Sequence, residues 1–322
     1  MNEISPLQVY SGYQESDIDL LKSFSREEVR VLDDHYYDGF GVRTLLQCIP
    51  FAKAKDFNLE RLKLPVPDDG FHAETIEYLS LIEAISWADP KKPFCTVELG
   101  AGWGPWITLA GVLTRKEKFG SIRLVGVEAD KSRFDLLKKH LASNALRPFE
   151  SDCEDTQHEE VHTRLFNGAA WGSDGNVFFP ETAITDMGTA VTSDPQELDY
   201  RGMEVKYGST ECRSLKTLLS DLVPINYLHV DLQGGEHTII ENEIDWISEN
   251  VMHIFVATHS RFLEGKIINL FHSEKWNLLR EKPCRFQLNK LTNNTVGCTT
   301  VCLLYTSPSP RDGSISRMPS SA

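Results

Sequence analysis

Apolar residues along this chain fall into short unbroken runs that alternate with stretches of helical period. FCTVEL (94–99), IRLVGVE (122–128), INYLHVDL (225–232) and HIFVATHS (253–260) have few polar interruptions, which predicts strands buried on both faces. Between them, Pro105 to about Thr114, KSRFDLLKKHLASN (131–144), TIIENEIDWI (238–247) and EGKIINLFHSEKW (264–276) place apolar residues at helical spacing. An amphipathic helix is predicted ahead of the first strand. Asp69 would cap it, Ile76, Leu79, Ile82 or Glu83, and Ile85 keep the period, and it ends before Pro90. Strand followed by helix, repeated, predicts an α/β fold whose sheet is mostly parallel, with helices on both faces. VHTRLFNGAAW (161–171) and NVFF (176–179) flank the turn GSDG, while 181–209, rich in Thr, Ser, Asp and Gly, has no clear period and is expected to be a long insertion or flap, a kind of loop that is usually functional or mobile.

The two ends break this pattern. Residues 1–70 interleave aromatic and charged residues and finish at PVPDDG, which suggests an N-terminal extension or lid before a main domain spanning 71–302, with its core at 94–276. At the other end, LLYTSPSPRDGSISRMPSSA (303–322) is rich in Ser, Pro and Arg and interrupts the apparent strand GCTTVCLLY. It resembles translated vector or adapter sequence that recurs at the ends of unrelated reading frames, so it is expected to be a non-native, disordered tail that truncates the last strand.

Composition narrows the ligand. With 33 Lys and Arg against 47 Asp and Glu, the formal charge is -14, which argues against a nucleic acid or an anionic membrane as partner and favours a small or weakly charged substrate. No apolar run is long enough to span a bilayer and the N-terminus lacks the order of a signal peptide, so a cytoplasmic protein is expected. The seven cysteines are scattered and form no C-x-x-C pair, which suggests reduced thiols rather than disulfides or a zinc site.

The candidate chemistry starts at VELGAGWGPW (97–106). In a doubly wound sheet the ligand sits where a strand turns into a helix, and glycines there let backbone approach it. A dinucleotide fingerprint would be G-x-G-x-x-G, whereas Gly100, Gly102 and Gly104 followed by Pro105 give E-x-G-x-G-x-G, starting at Glu98. Glu128 closes the next strand, where a carboxylate can accept hydrogen bonds from both hydroxyls of a ribose. The glycine pattern resembles motif I of the class I S-adenosylmethionine-dependent methyltransferases. NGAAWGSDG (167–175) and DLQGGE, with Asp231, Gln233, Gly234 and Glu236, resemble the FkbM-type members of that class, as does VATHS, which places His259 at the rim of the same cleft. The resemblance covers about 94–276. His229 stands where many members carry a lysine.

The resemblance implies a Rossmann-like methyltransferase sheet, S-adenosylmethionine as cofactor, and transfer to a hydroxyl of a sugar or natural-product scaffold. It implies that Glu98 lies near the methionine amino group and that Gly100, Ala101, Gly102, Gly104, Glu128, Ala129 and Ala170 contribute to the cofactor site. Asp231, Glu236 and His259 are the candidate catalytic residues, with His259 the general base on the strength of its ordinary pKa of about 6.5. Capping or first-turn roles compete for the two acids, and no metal is expected, a site made of the three being the less favoured reading. His72 and Glu74 are weaker candidates to fold over the cofactor, and Asp152 to approach the adenine amino group. Trp103 and Trp106 are expected to pack rather than stack on substrate, and the Asn293 glycosylation triplet is read as chance. The rivals are an NAD-dependent oxidoreductase, disfavoured by Pro105, and a catalytically silent cofactor-binding protein.

Overall fold

The computed structural model describes residues 14–49, 75–148, 153–181, 189–195, 204–282, 285–289, 294–298 and 301–308. His72, Glu74, Asp69, Asp152 and Asn293 lie outside these described residues. The N-terminal part is helix α1 (Glu15–Phe24), a small antiparallel sheet of β1 (Arg30–Val31), β2 (His35–Tyr37) and β3 (Arg43–Leu45), and a 3-10 turn at Leu46–Cys48. There follow α2 (Thr75–Trp87), β4 (Phe94–Leu99), α3 (Pro105–Lys116), β5 (Ile122–Glu128), α4 (Lys131–Ser143), β6 (Asp155–His158), β7 (Val161–Asn167), β8 (Ala169–Ala170) and β9 (Gly175–Pro180). The chain continues through β10 (Tyr207–Arg213), α5 (Leu215–Leu219), β11 (Ile225–Val230), α6 (Glu236–Asn250), β12 (Val251–Thr258), α7 (Arg261–Ser273), β13 (Asn277–Lys282), β14 (Arg285–Asn289), β15 (Asn294–Cys298) and β16 (Val301–Thr306).

The central sheet has the order β13-β16-β12-β11-β4-β5-β7-β6. Strands β12, β11, β4, β5 and β7 are parallel, while β6 and β16 run against their neighbours. This is the expected α/β architecture. Side chains alternate between two cores, because successive strand residues point to opposite faces. On β4, Phe94 joins one core with α1, α2, α3 and α4, whereas Cys95, Val97 and Leu99 join the other with α5, α6 and α7. From β4 the chain builds outward through β5 and β7, then returns to add β11 and β12 on the other side. That reversal opens a crevice between the carboxyl ends of β4 and β11, the place where open α/β sheets bind ligands.

Several elements depart from the sequence reading. Helix α2 is buried all round from Ile76 to Ile85, not amphipathic, because α1 covers the side that would otherwise meet solvent. Residues 207–213, which begin in the last three positions of the stretch without a period, form β10, a polar, partly exposed strand that pairs with β8 and β9. The domain boundary placed at Cys302 also moves. Strand β16 runs through Thr306 and lies hydrogen-bonded between β12 and β13, with Leu303, Leu304 and Tyr305 buried. Residues 309–322 lie outside the described ones. Among the described residues, Cys48, Cys95, Cys153, Cys212 and Cys302 form no disulfide. Among the described residues, no helix is long and apolar enough to cross a membrane.

Candidate active site

The loop after β4 is shaped by its glycines. Gly100, Gly102 and Gly104 have φ of +73°, +57° and +74°, the left-handed region that side chains disfavour. A Cβ on Gly100 would sit 1.9 Å from the Asp231 carbonyl oxygen, so the loops after β4 and β11 touch backbone to backbone there. A Cβ on Gly104 would sit 2.1 Å from Leu137 Cδ1, so this glycine serves the packing of α3 on α4. Pro105 occupies the first turn of α3, where its missing N–H costs nothing.

A cavity of about 250 Å3 opens at this edge of the sheet. Of the residues assigned to the cofactor from sequence, Gly100, Gly102, Glu128, Ala129 and Ala170 line it. Glu98, Ala101 and Gly104 do not. Glu98 is buried beneath the loop, where its carboxylate accepts the Ile107 amide at 3.0 Å and so caps α3; burial raises its pKa well above the usual range. Ala101 is buried in the core and its amide donates to the Val127 carbonyl at 2.9 Å. Glu128 accepts the Gly102 amide at 2.6 Å and the Asp130 amide at 2.7 Å, bracing the glycine loop against the end of β5. Burial pushes its carboxyl up to about 7, against the lowering charge of Arg133.

Other residues that the sequence reading did not assign to the cavity also wall it. Cys48 and Ile49 come from the N-terminal part, Trp103 from the glycine loop, Arg133 from α4 and Thr189 from the segment after β9. Trp103 is both wall and packing residue, edge-on to His140 with ring centroids 4.8 Å apart, while Trp106 is buried against Tyr78 and His229. Arg133 was legible: a cation in the first turn of a helix opposes the macrodipole and asks for a reason. Its Nη1 donates to Thr189 at 3.2 Å. Cys48 and Ile49 sit in an ordinary apolar run that carries no such signal.

Asp231 stands on the opposite wall, and the other two predicted catalytic residues gather beside it away from the lining, so the three come together but face different ways. Asp231 lines the cavity, and its Oδ1 accepts from Gln233 Nε2 at 2.9 Å. Glu236 turns inward and is fully buried. Its carboxylate accepts the amides of Leu232 at 3.1 Å and Gly234 at 3.0 Å, closing the turn that Gln233 makes at φ +55°. His259 lies between the two acids, with Nδ1 3.0 Å from Glu236 Oε1 and Nε2 3.5 Å from Asp231 Oδ1. Burial alone would lower the pKa of this ring, but the hydrogen bond to Glu236 and the charge of Asp231 outweigh it and hold it above its ordinary value. Burial likewise raises the Asp231 carboxyl, opposed by His259 and reinforced by Glu236. His229 is buried, stacked on Phe255 with centroids 5.0 Å apart and bonded through Nε2 to Glu77 at 3.2 Å.

No family model matches the chain. A protein of Jannaschia sp. (strain CCS1) named "Putative methyltransferase" is 27% identical over 249 residues, which cover 76% of this chain and 82% of the relative. Among solved structures, precorrin-6y C5,15-methyltransferase of Geobacter metallireducens aligns at 10% identity over 76% of this chain and 97% of its own, with a TM-score of 0.39. Methyltransferase FkbM of Methylobacillus flagellatus aligns at 12% identity over 72% of this chain and 55% of its own, also with a TM-score of 0.39. The sequence similarity supports a methyltransferase.

Proposed function

We propose that the chain is an S-adenosylmethionine-dependent methyltransferase acting on a hydroxyl of a sugar or natural-product scaffold. The observation that carries this reading is the glycine loop at positive φ, set over a cavity with Glu128 at one end and Asp231 at the other. The residues fit the cofactor part by part. Glu128 can accept from a ribose diol, Ile49, Cys48 and Trp103 offer an apolar wall for a purine, and the buried acids around the loop suit a ligand bearing ammonium and sulfonium charge. When bound, the cofactor supplies an electrophilic methyl group. The chain's own part is to hold an acceptor oxygen in line with that methyl on the Asp231 side and to exclude water from the line of attack. Asp231 on the cavity wall, with His259 beside it, offers a polar surface for making a hydroxyl nucleophilic, which supports an oxygen acceptor. The negative charge of -14 supports a small-molecule or glycan acceptor over a nucleic acid.

Titration calorimetry with adenosylhomocysteine and, separately, NADH tests the cofactor. Saturable binding of adenosylhomocysteine alone is expected, and binding of NADH alone would overturn the reading in favour of an oxidoreductase. Incubation with methyl-labelled cofactor and a panel of saccharides then tests the acceptor. Cofactor binding with no methyl uptake across sugars and hydroxylated scaffolds would leave a cofactor-binding protein without the proposed transferase activity.

A further inference from the structure

Asp231, Glu236 and His259 each offer a donor atom within 4.8 Å of the others, yet they are not equivalent. Glu236 is fully buried and spends its carboxylate on two loop amides and on His259 Nδ1. It is therefore a support, placed where a carboxylate stands behind a ligating histidine, fixing ring and tautomer so that Nε2 points forward. Forward of the ring stands Asp231 Oδ1, 3.5 Å from Nε2, on the cavity wall. Two donors that share an ion at about 2.1 to 2.2 Å from each, at roughly 90 to 110°, stand about 3.0 to 3.5 Å apart. The observed 3.5 Å lies at the upper limit of that range, and it is longer than the 3.0 Å hydrogen bond on the other side of the ring. Both side chains keep partial exposure, 18% for His259 and 30% for Asp231, and Asp231 lines the cavity, so an ion there would keep open positions on the Asp231 side.

We propose that His259 Nε2 and the Asp231 carboxylate hold a divalent cation on the acceptor side of the cavity, with Glu236 as the positioning residue behind the imidazole. One nitrogen and one carboxylate, without thiolate, suit Mn2+, Mg2+ or another hard to borderline ion. The second half of the inference rests on the methyl-transfer reading: the open positions take the acceptor's oxygens, which selects acceptors with two neighbouring oxygens, such as a vicinal diol. The cation lowers the pKa of the hydroxyl it touches, and that proton leaves to solvent water. The oxygen's electron pair then forms the O–CH3 bond as the S–CH3 bond breaks, and sulfur keeps the released pair.

The test is Mn2+ binding to the full chain, followed by loss of the free-ion electron paramagnetic resonance signal. One Mn2+ per chain is expected. Asp231→Asn and His259→Gln should weaken it by about tenfold or more, and Glu236→Gln by about 10- to 100-fold. Electron spin echo modulation of the wild-type complex should show one imidazole nitrogen coupled to the ion, which keeps the proposal testable even if a variant fails to fold. An unchanged Mn2+ signal in the wild type, absence of nitrogen coupling, or folded Asp231 and His259 variants that bind like the wild type would each overturn it. Adenosylhomocysteine binding is measured on the same samples. Cofactor binding without Mn2+ overturns the cation site and leaves methyl transfer standing, whereas Mn2+ binding without cofactor supports the site and sinks the methyl-transfer reading.

Discussion

Two loops meet across the crevice, and they are built by opposite means. The loop after β4 works by leaving side chains out: three glycines at positive φ let backbone come within contact of the Asp231 carbonyl and turn the Gly102 amide toward Glu128. The loop after β11 works by putting a side chain in. The buried Glu236 carboxylate gathers the Leu232 and Gly234 amides and the His259 ring, and Gln233 takes positive φ without being glycine. A surface that must admit a ligand closely needs space near the backbone. A surface that must hold reacting groups at fixed angles needs a buried acceptor that satisfies its amides.

The largest effect should come from breaking the first device. Gly100→Ala adds a Cβ 1.9 Å from backbone at a φ of +73°, and neither partner is a flexible side chain. The two loops must part, so adenosylhomocysteine affinity should fall by at least about a hundredfold, or about 3 kcal/mol, by calorimetry. Affinity within a few-fold of wild type would show that close backbone approach is not what the loop provides. The second device should fail differently. Glu236→Ala leaves two amides and the His259 N–H without their acceptor, an expected loss of about 3 to 5 kcal/mol in urea unfolding. Cofactor affinity should change far less, because Glu236 does not reach the cavity. A stability loss under about 1 kcal/mol would mean that the loop is organised by something other than that carboxylate.

The first loop was legible in the sequence and the second only in part, for a physical reason. Positive φ selects glycine, so Gly100, Gly102 and Gly104 announce their conformation by identity, and the apolar run of β5 marks its own boundaries at Ile122–Glu128. A carboxylate at the end of a strand or the start of a helix carries no such mark of direction. Glu98 and Glu128 end neighbouring strands, yet one caps α3 from below and the other faces the cavity. Asp231 and Glu236 divide in the same way. Elements placed by tertiary neighbours were equally hidden: α2 is covered by α1, β10 is a polar, partly exposed strand held between β8 and β9, and Leu303–Thr306 belong to β16 because β12 and β13 close around them.

The smallest of these effects is also the sharpest test of what separates the loops. Glu128 faces Arg133, Asp130 and the glycine loop, and burial places its pKa at about 7, above its ordinary value of 4.5. The ligand-free fold therefore favours the protonated acid. That contribution to stability is present below about pH 4.5 and is lost as the pH rises through about 7. Ribose hydroxyls donate hydrogen bonds and so favour the carboxylate, which makes cofactor binding release a proton. Adenosylhomocysteine affinity should thus rise about tenfold between about pH 6 and 8 and then level off. Glu128→Gln should bind more weakly and lose this dependence, while keeping its fold. A wild-type affinity that is flat across this range would mean that Glu128 spends its carboxylate on the Gly102 amide alone. The glycine loop would then be braced by a buried side chain just as the Glu236 loop is, and the contrast between the two would collapse.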